Sequence, residues 1–300
     1  MKRKISDLQG LLTAERMKKV LKNPKIIFKI FRLRLTDPVI FNLFYKSKEK
    51  YKLKFCDIET EFSALDKFSK YFLSSRFRKG DVHEPVVLKM IFDSLNQDGV
   101  FVDVGTHIGL YSCIVGKFLR NGKVYGFEVN KSAFDVCKRN INLNGLKNIE
   151  TFNVAVSDSE GYIKIPEVKE IQGGYAIKNK EQGIATMPMK AISLDSFFEK
   201  REKPKVIKID VEGAELLVLK GMEKILIKKP KIFLELHGGR LNNFDTSSDE
   251  IISFLIDRGY ALHEIRNHKE KSLRNGEGRL KEIKKGNLIN YTTMIYAHKK

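Results

Sequence analysis

Cysteine is scarce. Cys56, Cys113 and Cys137 are the three in 300 residues, and none forms a C-x-x-C pair. That excludes a disulfide scaffold and a Cys-ligated zinc site, so the thiols are expected to be reduced packing residues. Long apolar runs are missing too. No stretch approaches the roughly 20 uncharged apolar residues that span a bilayer. The basic N-terminus is not followed by the apolar segment of a signal peptide. The expected compartment is therefore the cytoplasm. Apolar residues at 42% and charged residues at 31% exclude wholesale disorder and fibrous repeats.

Acidic residues are also in deficit: 56 Lys+Arg face 37 Asp+Glu, a net charge of +19. The excess sits at the ends. Residues 1–50 carry 14 basic and 4 acidic side chains (+10), and residues 264–300 carry 10 and 4 (+6). The middle of the chain is nearly neutral. Basic ends attract nucleic acid, anionic lipid or acidic glycan. Ile26, Ile27, Phe28, Ile30 and Phe31, interleaved with Lys25, Lys29, Arg32 and Arg34, read as a basic amphipathic helix. Such a helix suits an anionic membrane surface or an intramolecular groove.

Two regions follow from the pattern: a basic, mainly helical accessory region over 1–80 and a catalytic domain over 81–300. Tyr51–Phe55 alternates as a strand. From residue 81 apolar strands and helices alternate. Strands are expected at Val100–Val104, Lys123–Phe127, Ile149–Val154, Val206–Ile209 and Ile232–Leu236, with closing strands at Tyr260–Ile265 and Leu288–Tyr296. Helices are expected at Leu110–Leu119, Ser132–Leu143, Ala214–Lys220 and Asp249–Arg258. Strand–helix alternation predicts a doubly wound, mostly parallel α/β sheet. The rhythm breaks over 155–204, an insertion of the size that carries substrate contacts.

Four motifs stand at the strand ends. Asp103-Val-Gly-Thr-His-Ile-Gly109 joins a strand to a helix, with Gly105 and Gly109 placed for a tight turn and a close approach. It lacks the third glycine of G-x-G-x-x-G and the Lys-Ser/Thr of a phosphate-binding P-loop. Glu128 ends the second strand 23 residues after Gly105. A carboxylate at that spacing grips the two hydroxyls of a ribose, which fits NAD or S-adenosylmethionine (SAM). Lys208-Ile-Asp-Val-Glu-Gly-Ala-Glu215 runs from the fourth strand into a helix. Asp210 and Glu212 are expected in the crevice beside Gly105, where they can hold a hydroxyl, act as a base or bind a cation. Glu215 reads as a first-turn helix residue favoured by the dipole. His237, at the end of the fifth strand, is a candidate general base.

Together these motifs resemble the FkbM family of SAM-dependent methyltransferases over about residues 84–235. The resemblance is carried by DVGTHIG at 103–109, FEVN at 127–130, AVSD at 155–158, Leu194-Asp195, KIDVEGAELLVLKG at 208–221 and FLELHG at 233–238. Family members show Ala-Asn where this chain has Thr106-His107, and Glu-Pro where it has Glu128-Val129. The resemblance implies a Rossmann-like class I methyltransferase fold with a seven-stranded sheet, SAM as methyl donor, and O-methylation of a sugar, glycan or small metabolite. By position, Asp103, Gly105, Thr106, His107 and Gly109 line the methionine and ribose side of SAM. Glu128 and Val129 meet the ribose, Ser157 and Asp158 the adenine edge, and Asp210 the methyl sulfonium. Asp210, Glu212 and His237 are the catalytic candidates. Whether a divalent metal joins Asp210 and Glu212 is open.

The competing reading is an RNA methyltransferase held by its basic termini. Against it, no Asn-Pro-Pro-Tyr, Asp-Pro-Pro-Tyr or Pro-Cys string is present. The incomplete glycine pattern disfavours an NAD-dependent oxidoreductase.

Overall fold

A computed structural model describes residues 49–66, 69–70, 72–73, 82–166, 186–266 and 279–300. The basic amphipathic segment over 26–34 lies outside the described residues. Glu49–Lys300 forms one compact unit.

Its centre is an eight-stranded sheet. Val100–Val104 (β3), Lys123–Phe127 (β4), Ile149–Phe152 (β5), Val206–Ile209 (β9) and Lys231–His237 (β10) pair in parallel in the order β10-β9-β3-β4-β5. These strands are short and apolar because helices cover both faces. Every residue of β3 and β9 is buried. Thr292–Lys299 (β13) joins β10 antiparallel, followed by Tyr260–Arg266 (β11) and Arg279–Ile283 (β12). The sheet thus has one strand more than the seven expected. The closing strand starts at Thr292 rather than Leu288, because Leu288 and Tyr291 lie in an exposed approach to it.

Pro85–Phe92 (α1), Leu110–Phe118 (α2) and Lys131–Leu143 (α3) share an apolar core on one face of the sheet. Leu194–Phe197 (α4), Glu215–Lys220 (α5), Glu223–Leu226 (α6) and Ser248–Asp257 (α7) share the core on the other. Burial of these two cores is the main stabilising term of the unit.

Lys50–Phe55 (β1) and Ile58–Ser63 (β2) form a hairpin. It lies on the accessory side of residue 80, yet it is tied to the catalytic unit. The Ser63 N–H donates to Asn140 Oδ1 at 2.8 Å and the Glu61 N–H to Asn144 Oδ1 at 2.9 Å, both on or just past α3. Asn140 Nδ2 in turn donates to the Ile108 carbonyl at 2.8 Å, joining hairpin, helix and the 103–109 loop.

The expected insertion over 155–204 contains a small sheet of Ala155–Val156 (β6), Gly161–Pro166 (β7) and Thr186–Ile192 (β8). Leu194-Asp195 proves to be a packing and capping device. Leu194 is fully buried, and the Asp195 carboxylate accepts the Lys224 and Ile225 N–H groups at 2.8 and 2.9 Å at the start of α6.

The chain leaves β3 towards β4 on one side and returns to β9 on the other. A parallel sheet opens a crevice at the carboxyl ends of two such strands. Asp210 follows β9 directly, and its N–H donates to the Val104 carbonyl at 2.9 Å.

Candidate active site

A cavity of about 460 Å³ opens at this switch point. Its floor is the 103–109 loop. Gly105 has φ +82° and lies so close to Asp210 that a Cβ would sit 1.9 Å from the Asp210 carbonyl oxygen. Only glycine permits both that dihedral and that approach. Gly109, also left-handed, starts α2 and abuts Cys137 rather than the cavity.

Glu128 is buried at the end of β4. The Asn130 N–H donates to its Oε1 at 2.7 Å and the His107 N–H to its Oε2 at 2.8 Å. Local sequence makes this geometry. Asn130 caps α3 by accepting the Ala133 N–H at 2.9 Å, which turns its own N–H back towards Glu128. His107 takes φ +52°, aiming its N–H likewise. Burial pushes the Glu128 carboxyl up to about 7 against the opposing pull of those two N–H groups.

Asp103 is buried beneath the loop and accepts from Ser112 Oγ at 2.7 Å through Oδ2. Its Oδ1 makes no hydrogen bond. Burial raises its pKa, with Lys208 pulling the other way. Thr106 Oγ1 lies 2.6 Å from Ser112 Oγ. Thr106, His107 and Val129 line the cavity, as does Ser157 at the end of β6; Asp158 does not.

Beyond the loop, Asp210, Glu212 and His237 meet. His237 Nε2 is 3.1 Å from Glu212 Oε2 and 3.8 Å from Asp210 Oδ1. On its other side, Nδ1 is 2.8 Å from Oε1 of the fully buried Glu215. That oxygen also accepts the Gly213 N–H at 3.0 Å. Glu215 is the first-turn residue expected of it, but its carboxylate serves His237 rather than solvent.

Lys208 donates to Asp210 Oδ2 at 3.1 Å. Burial alone would raise the Asp210 pKa, but the charges of Lys208 and His237 hold it down at about 2. Arg240 forms an ion pair with Glu212. For His237, burial lowers the pKa. The Glu215 hydrogen bond and the Asp210 charge outweigh it, and the net shift is upward.

Asp210, Glu212 and His237 are the one group among the described residues whose ligand atoms converge as a metal site would need. The donor set does not fit a resident divalent ion. Each carboxylate already faces a cation, Lys208 or Arg240, so a metal would be repelled by both.

Several cavity residues escape motif reading. Glu84 has φ +54° and accepts from the Tyr111 hydroxyl at 2.7 Å. Lys208 lies 4.8 Å over the Tyr111 ring, and Glu235 and Arg240 also line the cavity. Phe72 packs edge-on to His107 at 5.3 Å. The spacing of Lys208 and Glu235, each two residues before a named site residue, was the available signal, since alternate strand residues share a face.

The acidic lining of Asp103, Glu128 and Asp210, with the orphaned Asp103 Oδ1, suits a ligand that carries a cation and a diol. SAM has both.

Residues 103–262 match the family model described as the methyltransferase FkbM domain. The hexuronic acid methyltransferase AglP of Haloferax volcanii is 33% identical over 158 residues, 52% of this chain and 63% of that protein's length. Methyltransferase sdnD of Sordaria araneosa is 24% identical, covering 51% of this chain and 73% of that protein. Among solved structures, a SAM-dependent methyltransferase from Agrobacterium tumefaciens superposes with TM-score 0.44 at 13% identity, covering 85% of this chain and 72% of that one.

Proposed function

The chain belongs to the FkbM methyltransferase family, whose methyl donor is SAM, and from that premise we propose that it methylates a hydroxyl of a sugar, glycan or small metabolite. SAM supplies a methyl carbon already activated by a cationic sulfur. The protein's task is then to align one hydroxyl with that carbon and to remove its proton.

The observation that carries this reading is the convergence of Asp210, Glu212 and His237 on the cavity that also presents Glu128. Glu128 is the ribose anchor, and the 103–109 loop cradles the rest of the cofactor. Asp210 orients the acceptor hydroxyl beside the sulfonium. Arg240 and Glu212 form the outer wall, where an acceptor's own polar groups dock. The name of the Haloferax relative makes a hexuronic acid the first acceptor to try. The +10 charge of residues 1–50 supplies attraction to an anionic surface.

Labelled methyl transfer from SAM to glycan, lipid and RNA fractions tests the reading. Label in glycan or a sugar metabolite supports it. Label in RNA would replace it with the nucleic-acid alternative.

A further inference from the structure

We infer that Glu215, acting through His237, makes His237 Nε2 the atom that takes the acceptor's proton. This rests on the methyltransferase reading above and selects among its three catalytic candidates.

Two of the three are poor bases. Asp210 is neutralised by Lys208 at 3.1 Å, and a carboxyl held low by that ammonium has little affinity for a proton. Glu212 is ion-paired with Arg240. His237 differs in that its two nitrogens have separate tasks. A carboxylate only accepts, so Glu215 Oε1 at 2.8 Å fixes the proton of neutral His237 on Nδ1. Nε2 lies 3.1 Å from Glu212 Oε2, but that oxygen makes no hydrogen bond, so the lone pair is left on Nε2, on the side that faces Asp210 and Glu212 across the cavity. Glu215 is itself immobilised by full burial and by the Gly213 N–H at 3.0 Å. Gly213 has φ +118°, and Glu212 before it φ +59°, so this turn is built to send Glu212 to the cavity and Glu215 beneath it.

The charged groups around the imidazole come from every neighbouring element. Glu215 is on α5, Asp210 and Glu212 on the turn after β9, Glu235 on its own strand β10, and Arg240 just past it. The facing positions of β13, Thr292 and Thr293, carry no charge. Carboxylates predominate, so the imidazolium produced by proton transfer is stabilised. In the step itself the hydroxyl O–H bond breaks and its proton goes to Nε2. The oxygen bonds to the methyl carbon, and the electron pair of the broken carbon–sulfur bond stays on the leaving sulfur. Glu215 does not touch substrate. It is a positioning residue.

The test is nitrogen-15 NMR of the full chain with labelled histidine, compared with Glu215→Gln and with His237→Gln to assign the signal. Expected in the native protein is the Nδ1–H tautomer above the titration midpoint. Glu215→Gln is expected to lower that midpoint by about one pH unit, roughly a tenfold loss in proton affinity. S-adenosylhomocysteine (SAH) binding should stay within threefold, which shows the fold intact. A native Nε2–H tautomer, or a midpoint unmoved in Glu215→Gln, overturns the inference. The tautomer is read without Glu215→Gln, so misfolding of that variant does not remove the test. A second arm follows methyl transfer to a glucuronic acid glycoside against pH. Its acidic limb should move down with the NMR midpoint in Glu215→Gln, and an unmoved limb overturns the inference. If the native protein binds no SAH, the methyltransferase reading fails. If it binds SAH but leaves this probe unmethylated, the choice of acceptor fails, and the NMR arm alone decides the role of Glu215.

Discussion

Lys208 Nζ lies 3.1 Å from Asp210 Oδ2, and its ammonium sits 4.8 Å over the Tyr111 ring. Lys208 is only 2% exposed, and Asp103, Glu235 and Glu84 also act on it. One buried cation therefore balances several carboxylates. Removing one partner of such a cluster strands the others, which costs about 3–5 kcal/mol. Lys208→Met should destabilise the protein by about that amount in urea unfolding at pH 8. The stranded carboxyls then have folded pKa values raised above their unfolded ones. They are destabilising when ionised and harmless when protonated. The deficit should accordingly shrink as pH falls towards 5, and a constant deficit would refute the electrostatic origin.

Cofactor affinity should depend on pH through Glu128. Ribose hydroxyls donate to a carboxylate, whereas a protonated carboxyl competes with its own O–H. With the free carboxyl pushed up to about 7, SAH should bind more tightly as pH rises through that value, by up to about tenfold per unit below it. Glu128→Gln should flatten the profile. Glu128→Ala should weaken SAM by about 30- to 1000-fold, through loss of two charge-assisted hydrogen bonds. Calorimetry between pH 5.5 and 8.5 in about half-unit steps measures both effects.

Asp210→Asn should lower methyl transfer by about two orders of magnitude or more while SAM still binds within about tenfold. The amide keeps the shape but gives Lys208 no counter-charge and offers the acceptor hydroxyl a weaker partner. Because Lys208 and Arg240 already meet the two carboxylates, EDTA should leave native activity unchanged. Activity lost with EDTA and restored by Mg²⁺ or Mn²⁺ would make the cluster a metal centre after all.

The parallel core was legible in the sequence because buried strands are continuous apolar runs, such as Val100–Val104 with its single Asp103. The eighth strand was not. Arg279–Ile283 reads RLKEI, a charged edge strand whose pairing with β11 is set by its neighbour rather than by its own pattern. At the site, Glu128, Asp210 and His237 were legible because each ends a strand at the switch point. Glu215 was read by its helix position alone, since a first-turn glutamate already has a sufficient local explanation. Its bond to His237 is a contact across 22 residues between α5 and β10, and local pattern carries no trace of it. Lys208 left one signal, its position two residues before Asp210 on the same strand. An isolated lysine in a strand commonly faces water, whereas this one is buried between Asp210, two residues on, and acids from other elements, Asp103, Glu235 and Glu84.

Two glycines separate backbone strain from steric approach. Gly145, past the end of α3, has φ +63°, and a Cβ added to it would meet nothing within 4 Å. Gly145→Ala should therefore cost only the left-handed backbone, about 1 kcal/mol. Gly105 has a similar φ of +82°, but its Cβ would fall 1.9 Å from the Asp210 carbonyl oxygen and 2.9 Å from the Asp210 carbonyl carbon. Those atoms belong to backbone that is hydrogen-bonded to Val104, so they cannot swing aside as a side chain would. Gly105→Ala must part the β3 loop from the β9 loop, the seam at which Glu128 and Asp210 are brought to one cavity. It should cost several times the Gly145→Ala deficit in thermal or urea unfolding and abolish SAH binding even where folded protein is recovered. Equal deficits in the two variants would show that the close approach of Gly105 to Asp210 contributes nothing to the site.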